Sequence, residues 1–145
     1  MKLARAAVVV ALIASASIAF AQEPTDGVHG AGAPLADCIE HSDGTNTAWA
    51  ICGGAEVERQ EQRLNAAWKR VSPMLDPQSR ADLLVEQRAW ISFKDKSCLY
   101  LANGQRGRQG QVLEFPACRA AVIAERADEL ESLAQDLEEG DGLED

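Results

Sequence analysis

Glu86-Gln87-Arg88-Ala89-Trp90-Ile91-Ser92-Phe93-Lys94-Asp95-Lys96-Ser97-Cys98 is the stretch on which the reading of this chain turns. Together with Leu83 and Leu84, its apolar residues Trp90, Ile91 and Phe93 are expected on one broad helix face, with Ala89 and Cys98 filling the gaps. Asp76 and Pro77 mark the start. The aspartate can cap free backbone N–H groups, and proline at the first helical position forgoes an N–H that has no helical partner anyway. The helix is expected to run to about Leu101 and stop at Asn103-Gly104, a pair suited to a left-handed cap. This helix is expected to be the one around which the others are arranged.

Before it, Trp49, Gly53, Val57, Gln60, Leu64, Trp68, Val71 and Leu75 recur three or four residues apart. That period predicts one long helix from about Thr47 to Ser72, capped by Asn46 or Thr47. Gly53-Gly54 is its weak point: two glycines cost about 2 kcal/mol relative to alanines, so the helix either spans them or begins after them. Further back, a short turn from Leu35 to Glu40 carries Cys38. After the central helix, Asn103 to Gln111 reads as a glycine-punctuated, solvated loop. A last helix is expected from Glu114 or Phe115, with Pro116 tolerated in its first turn, through Val122, Ile123, Ala127, Leu130, Leu133, Ala134 and Leu137 to Gly140. Neither repeats nor strand patterns occur. The fold class is therefore all-α, a small antiparallel bundle of three long helices plus one short N-terminal helix. Its core is expected to include Leu64, Trp68, Gln87, Trp90, Ile91, Arg126 and Leu130, and Trp49, Trp68 and Trp90 read as packing groups before a ligand platform.

The ends read differently. In residues 1–21, Lys2 and Arg5 precede an apolar run from Ala6 to Phe20 that closes on Ala19-Phe20-Ala21. This has the form of a secretory signal cleaved after Ala21, and the run is too short for a membrane span. The expected product is a soluble periplasmic or secreted protein of 124 of the 145 residues, enough for one small domain. Residues 22–34 are expected to be a disordered lead, 35–138 the helical domain and 139–145 an acidic tail.

Four cysteines, Cys38, Cys52, Cys98 and Cys118, are an even number in an exported chain, and two disulfides are the default. Three pairings are possible from sequence. Cys38 with Cys52 and Cys98 with Cys118 are preferred because each joins neighbours across one connection, and each loop could contribute about 3 kcal/mol.

Charge limits the partners. The full chain carries −9, and loss of Lys2 and Arg5 with the signal takes it to −11. Nucleic acid is disfavoured, whereas a basic protein would be attracted at long range. The simpler reading is that the charge maintains solubility. Cys38, His41 and Cys52 make a poor metal set, since a structural zinc needs four ligands, so no metal or cofactor is expected. Glu86 and Asp95 are about 13 Å apart along a helix, too far for one acid–base centre. With no serine or cysteine beside a positioned base and no phosphate-binding loop, no catalytic residues are assigned and enzymatic activity is not expected. The candidate target-binding residues are Arg106 and Arg108, the basic pair in the glycine-rich loop, whose guanidinium groups can each grip a carboxylate. A plain connector is the alternative.

Thr47 to Cys52, Leu64-Asn65-Ala66-Ala67-Trp68, Glu86-Gln87-Arg88-Ala89-Trp90-Ile91, Lys94-Asp95 to Cys98, and Cys118 to Arg126-Ala127-Asp128-Glu129-Leu130 together resemble the LprI-type lysozyme inhibitor family of exported bacterial proteins. The likeness covers roughly Ala36 to Leu137. The family often has tyrosine where Trp68 stands and arginine where Lys94 stands. The resemblance implies an all-helical, disulfide-bonded periplasmic domain and, for the founding type, inhibition of lysozyme; it carries over no inhibitory residues. Lysozymes of animal hosts are commonly basic, so an acidic chain suits such a partner, or another cell-wall hydrolase. The alternative class is a periplasmic interaction or structural module with no lysozyme target.

Overall fold

A computed structural model describes residues 32–103 and 107–141. The expected signal, most of the lead, His29, Arg106 and the last four residues of the acidic tail lie outside the described residues. Those described form helices and no strand. They are α1 (Ala33–Glu40), α2 (Asn46–Val71), α3 (Pro77–Ser97), α4 (Leu99–Asn103), the short turn α5 (Gly107–Gln109), a π-helical segment (Gly110–Glu114) and α6 (Phe115–Asp141).

The starts of the long helices depend on single side chains. Asp76 accepts from the backbone N–H of Gln78 at 2.8 Å and of Ser79 at 3.1 Å, with Pro77 next, as the sequence predicts. For α2 the cap is Thr45, one residue before the expected pair. Asp43 Oδ1 accepts from both the N–H (3.0 Å) and the hydroxyl (2.7 Å) of Thr45, which leaves Thr45 Oγ1 to accept from Ala48 N. Gly44, at φ 74°, makes the turn that brings Asp43 into reach.

Gly53-Gly54 does not interrupt α2. Gly53 is buried where α2 meets the start of α6, and the Pro116 ring fills the space beside it. The small residues Ala67, Ala117, Ala120, Ala127 and Ala134 continue this seam, all fully or nearly fully buried, and let the two helices approach closely. The main core is Leu64, Ala67 and Val71 of α2 against Ile123, Ala127, Leu130 and Ala134 of α6. A smaller cluster of Leu35, Cys52 and Ala117 ties in α1.

Two ion pairs fix the register of this seam. Arg63 donates to Glu131 and Arg70 to Glu138, each from Nε at 2.8 Å, and both pairs are 68 residues apart in sequence. Equal separations mean that α2 and α6 run parallel, with α3 antiparallel between them in chain order.

This corrects the expected place of the Glu86–Cys98 stretch. No residue of α3 is fully buried. Leu83 and Trp90 pack against the core from outside, while Ile91, expected within it, is 45% exposed and Phe93 58%. The physical reason is that the apolar residues of α3 are distributed around the helix instead of along one stripe, whereas α2 and α6 offer matched small residues that pair first. Leu64, Arg126 and Leu130 are buried; Trp68, Gln87 and Trp90 are half-buried.

Two further boundaries differ. α3 ends at Ser97, and Cys98 breaks the helix before α4, which turns its sulfur into the protein with none of the residue exposed. The segment read as a solvated loop is helical from Gly107, because Val112 and Leu113 are buried and draw the π segment against the bundle. α6 starts at Phe115 as predicted and passes Gly140 to Asp141. The disulfides join Cys38 to Cys52 (Cα–Cα 5.7 Å) and Cys98 to Cys118 (5.9 Å).

Candidate functional site

Some of the residues that carry the resemblance meet in space. Between α2 and α3 lies a pocket of about 170 Å³ lined by Glu61, Leu64, Asn65, Gln87, Trp90, Ile91 and Lys94. Leu64-Asn65 arrives from α2, and Gln87, Trp90, Ile91 and Lys94 project from one side of α3 at three- and four-residue spacing. At the mouth, Lys94 Nζ lies 3.5 Å from Glu61 and 3.7 Å from Asp95, and 6.0 Å from the centre of the Trp90 ring. Arg119 approaches the same carboxylates at 3.9 and 3.7 Å. Two cations and two anions therefore close the pocket edge with no net charge. Asp95 and Lys94 were legible as part of a motif; Arg119 and Glu61 were not, since nothing in their local sequence distinguishes them from ordinary surface charges.

Below the pocket Arg126 locks α3 onto α6. Only 7% exposed, it donates from Nε to Gln87 Oε1 at 2.9 Å, and from its two terminal nitrogens to Glu86 and Glu129 at 2.7 Å each. Burial draws its pKa down, but the hydrogen bonds to Glu86 and Glu129 outweigh it and hold the guanidinium charged. Glu86 and Asp95 serve separate ion clusters, which agrees with their distance along the helix. Arg63 is likewise held more firmly protonated by Glu131 and Asp128. A buried polar set that the sequence did not signal lies nearer α1: Glu56 accepts from Arg59 and from Gln60 Nε2 (2.9 Å).

The sequence-predicted contact pair is only half described. Arg108 is exposed on α5 and donates to Gln111 Oε1 at 3.3 Å. Outside the pocket, the outward side of α3 exposes Val85, Ala89 and Phe93, and α6 exposes Glu125, Asp136 and Glu139. Among the described residues no group of three or more His, Cys, Asp or Glu could hold a metal ion, and no helix is long and apolar enough to cross a membrane.

What the fold and surface define is a small, disulfide-stapled helical domain whose motif residues build a helix–helix lock and present an exposed helix face. The family model described as lysozyme inhibitor LprI matches residues 38–130, well over half of the chain, and the protein belongs to that family. Comparison with curated proteins and with solved structures gave no match.

Proposed function

We propose that this protein is an exported, periplasmic inhibitor that binds lysozyme. The observation that carries the reading is the family match over residues 38–130, which includes all four disulfide cysteines and all three long helices in part or whole. Its charge supports the reading: −9 for the whole chain, or −11 after cleavage at Ala21, suits a basic enzyme. Two disulfides suit an oxidising compartment. The working domain is residues 35–138, and it acts by covering the enzyme, with no catalytic group or cofactor of its own. Arg106 and Arg108 are the candidate contacts to carboxylates of the target.

The test is clearing of a cell-wall suspension by a basic animal-type lysozyme, titrated with the oxidised exported protein at two salt concentrations. Inhibition near stoichiometric amounts that weakens with salt is the expected result. Full enzyme activity in a large excess of folded protein would overturn it, and leave a binding module for another envelope protein as the reading.

A further inference from the structure

Helix α3 turns two parallel ridges to solvent. Val85, Ala89 and Phe93 recur at four-residue spacing and form one ridge; Arg88, Ser92 and Lys96 form the ridge beside it. All six residues are exposed, Val85 at 65%. Arg88 and Lys96 have no ion-pair or hydrogen-bond partner among the described residues, although the chain as a whole is acidic. Among the described residues, three of the acids without a partner, Glu125, Asp136 and Glu139, stand on α6, and a fourth, Glu40, on α1. Helices α3 and α6 are neighbours, because Arg126 ties α6 to α3.

An apolar ridge next to unpaired cations asks for a surface that is apolar and acidic together. A second copy of this chain fits poorly: two α3 faces brought together set Arg88 and Lys96 of each against those of the other, and like charges at an interface oppose docking. The cleft of a glycan-cleaving enzyme fits well. It holds a pair of carboxyl groups roughly 5 to 9.5 Å apart, and binding clefts are lined mostly by apolar and aromatic side chains. Arg88 and Lys96 stand about 12 Å apart along the helix axis, a span that their long side chains can close onto such a pair.

We propose that the outward face of α3 is the surface that enters the lysozyme cleft, with Arg88 and Lys96 meeting its carboxyl groups and Val85 and Phe93 packing on its walls. This rests on the lysozyme reading above and says which surface performs it. The net negative charge of the chain draws it toward a basic enzyme in the encounter. None of the four residues contributes to the buried core, so each can be changed without emptying it.

Two double variants test the assignment, Arg88→Glu with Lys96→Glu and Val85→Ser with Phe93→Ser, assayed beside the wild-type protein against a basic animal-type lysozyme. Each is expected to raise the half-inhibitory concentration at least tenfold while keeping wild-type helix content by circular dichroism. A trimer of N-acetylglucosamine, which occupies the cleft, should displace the wild-type protein from the enzyme. If wild type inhibits and both variants inhibit equally well, the α3 assignment is wrong and the inhibitor reading stands. If wild type does not inhibit, the inhibitor reading fails and takes this assignment with it. A wild-type dimer in sedimentation that both variants dissociate would make a second copy the occupant and overturn the proposal.

Discussion

A Cβ placed on Gly53 would lie 2.6 Å from Pro116 Cγ and 2.8 Å from Pro116 Cβ, so the start of α6 rests where residue 53 has no side chain. Its neighbour Gly54 has nothing within 4 Å of the same position. The two glycines therefore do different things. Gly53→Ala gains helix propensity but pushes two packed helices apart, and a net loss of about 1 to 2 kcal/mol is expected. Gly54→Ala should gain up to about 1 kcal/mol, since only propensity changes. Urea unfolding of the two variants, read as shifts of opposite sign in the midpoint, checks this pair.

Arg126 makes the strongest single case for a polar residue holding the bundle. It is nearly buried and divides its donors among Gln87, Glu86 and Glu129. Arg126→Ala should cost about 2 to 3 kcal/mol, because hydrogen bonds to charged groups are worth more than neutral ones and Gln87 would lose its partner. Glu86→Gln should cost less than about 1 kcal/mol, as that side chain is 56% exposed and water can replace much of the pair. Equal losses from the two variants would contradict the geometry.

How much of this could be read in the sequence depends on the range of the signal. Asp76-Pro77 is local, and it caps α3 as predicted. The cysteines are restricted by nearness along the chain, and their pairing is the one that nearness favours. Thr45 escapes a sequence reading because its role depends on Asp43 turning it. Ile91 reads as a core residue from the broad apolar face it is expected to share with Leu83 and Trp90, while the partner that decides burial lies on other helices. The α2–α6 seam is the least legible part. Its seven-residue match of Arg63 and Arg70 to Glu131 and Glu138 is visible only when two distant segments are laid in parallel. Of the candidate contacts, Arg108 sits on helical backbone instead of a loop, since the burial of Val112 and Leu113 anchors the segment next to it.

Acid should loosen the fold through a small set of carboxylates. Glu138 is held below its ordinary 4.5 by the hydrogen bond from Arg70. Asp76 is held below 3.8 by hydrogen bonds from Ser79 and then Gln78. Asp43 is lowered in the same way by Thr45. Their folded values lie below the unfolded ones, so the unfolded chain takes up protons first as pH falls. The stabilisation is complete above pH 4.5, the highest of these ordinary values, and is lost as pH drops through the folded values beneath. Thermal midpoints should be level from about pH 5 to 7 and fall steadily below. Arg70→Gln should reduce the acid dependence, and an unchanged pH profile in that variant would count against the Arg70–Glu138 contribution.

Arg106 and Arg108 allow a graded comparison with α3. Arg108 is exposed and engaged only by a 3.3 Å hydrogen bond to Gln111 among the described residues. As a rim contact it should matter little, because binding energy concentrates in central, well-packed anchors. Arg106→Ala with Arg108→Ala should weaken inhibition of lysozyme by about two- to threefold, more at low salt than at high. Titration of both variants at two ionic strengths reads this directly, and complete loss of inhibition would move the main contact to this segment.

The Cys98–Cys118 bridge should be the fastening on which α3 most depends. α3 has no fully buried residue and holds to the bundle by Leu83, Trp90, the Arg126 hydrogen bonds, the Lys94–Glu61 and Asp95–Arg119 ion pairs and this disulfide at its end. α2 and α6, by contrast, share a continuous buried seam and need no bridge to stay paired. Replacing Cys98 and Cys118 by alanine should cost about 3 kcal/mol, and the loss should be uneven in space. Backbone amides of α3 should lose hydrogen-exchange protection first, while those of α2 and α6 facing each other stay protected longer. The same replacement at Cys38 and Cys52 should release α1 and leave α3 protected, because that bridge joins only α1 to α2. Uniform loss of protection in the Cys98–Cys118 variant would mean that α3 unfolds only together with the seam. A domain that loses α3 alone would retain its core and its acidic α6 face but lose the proposed inhibitory surface, so inhibition should fall before helix content collapses.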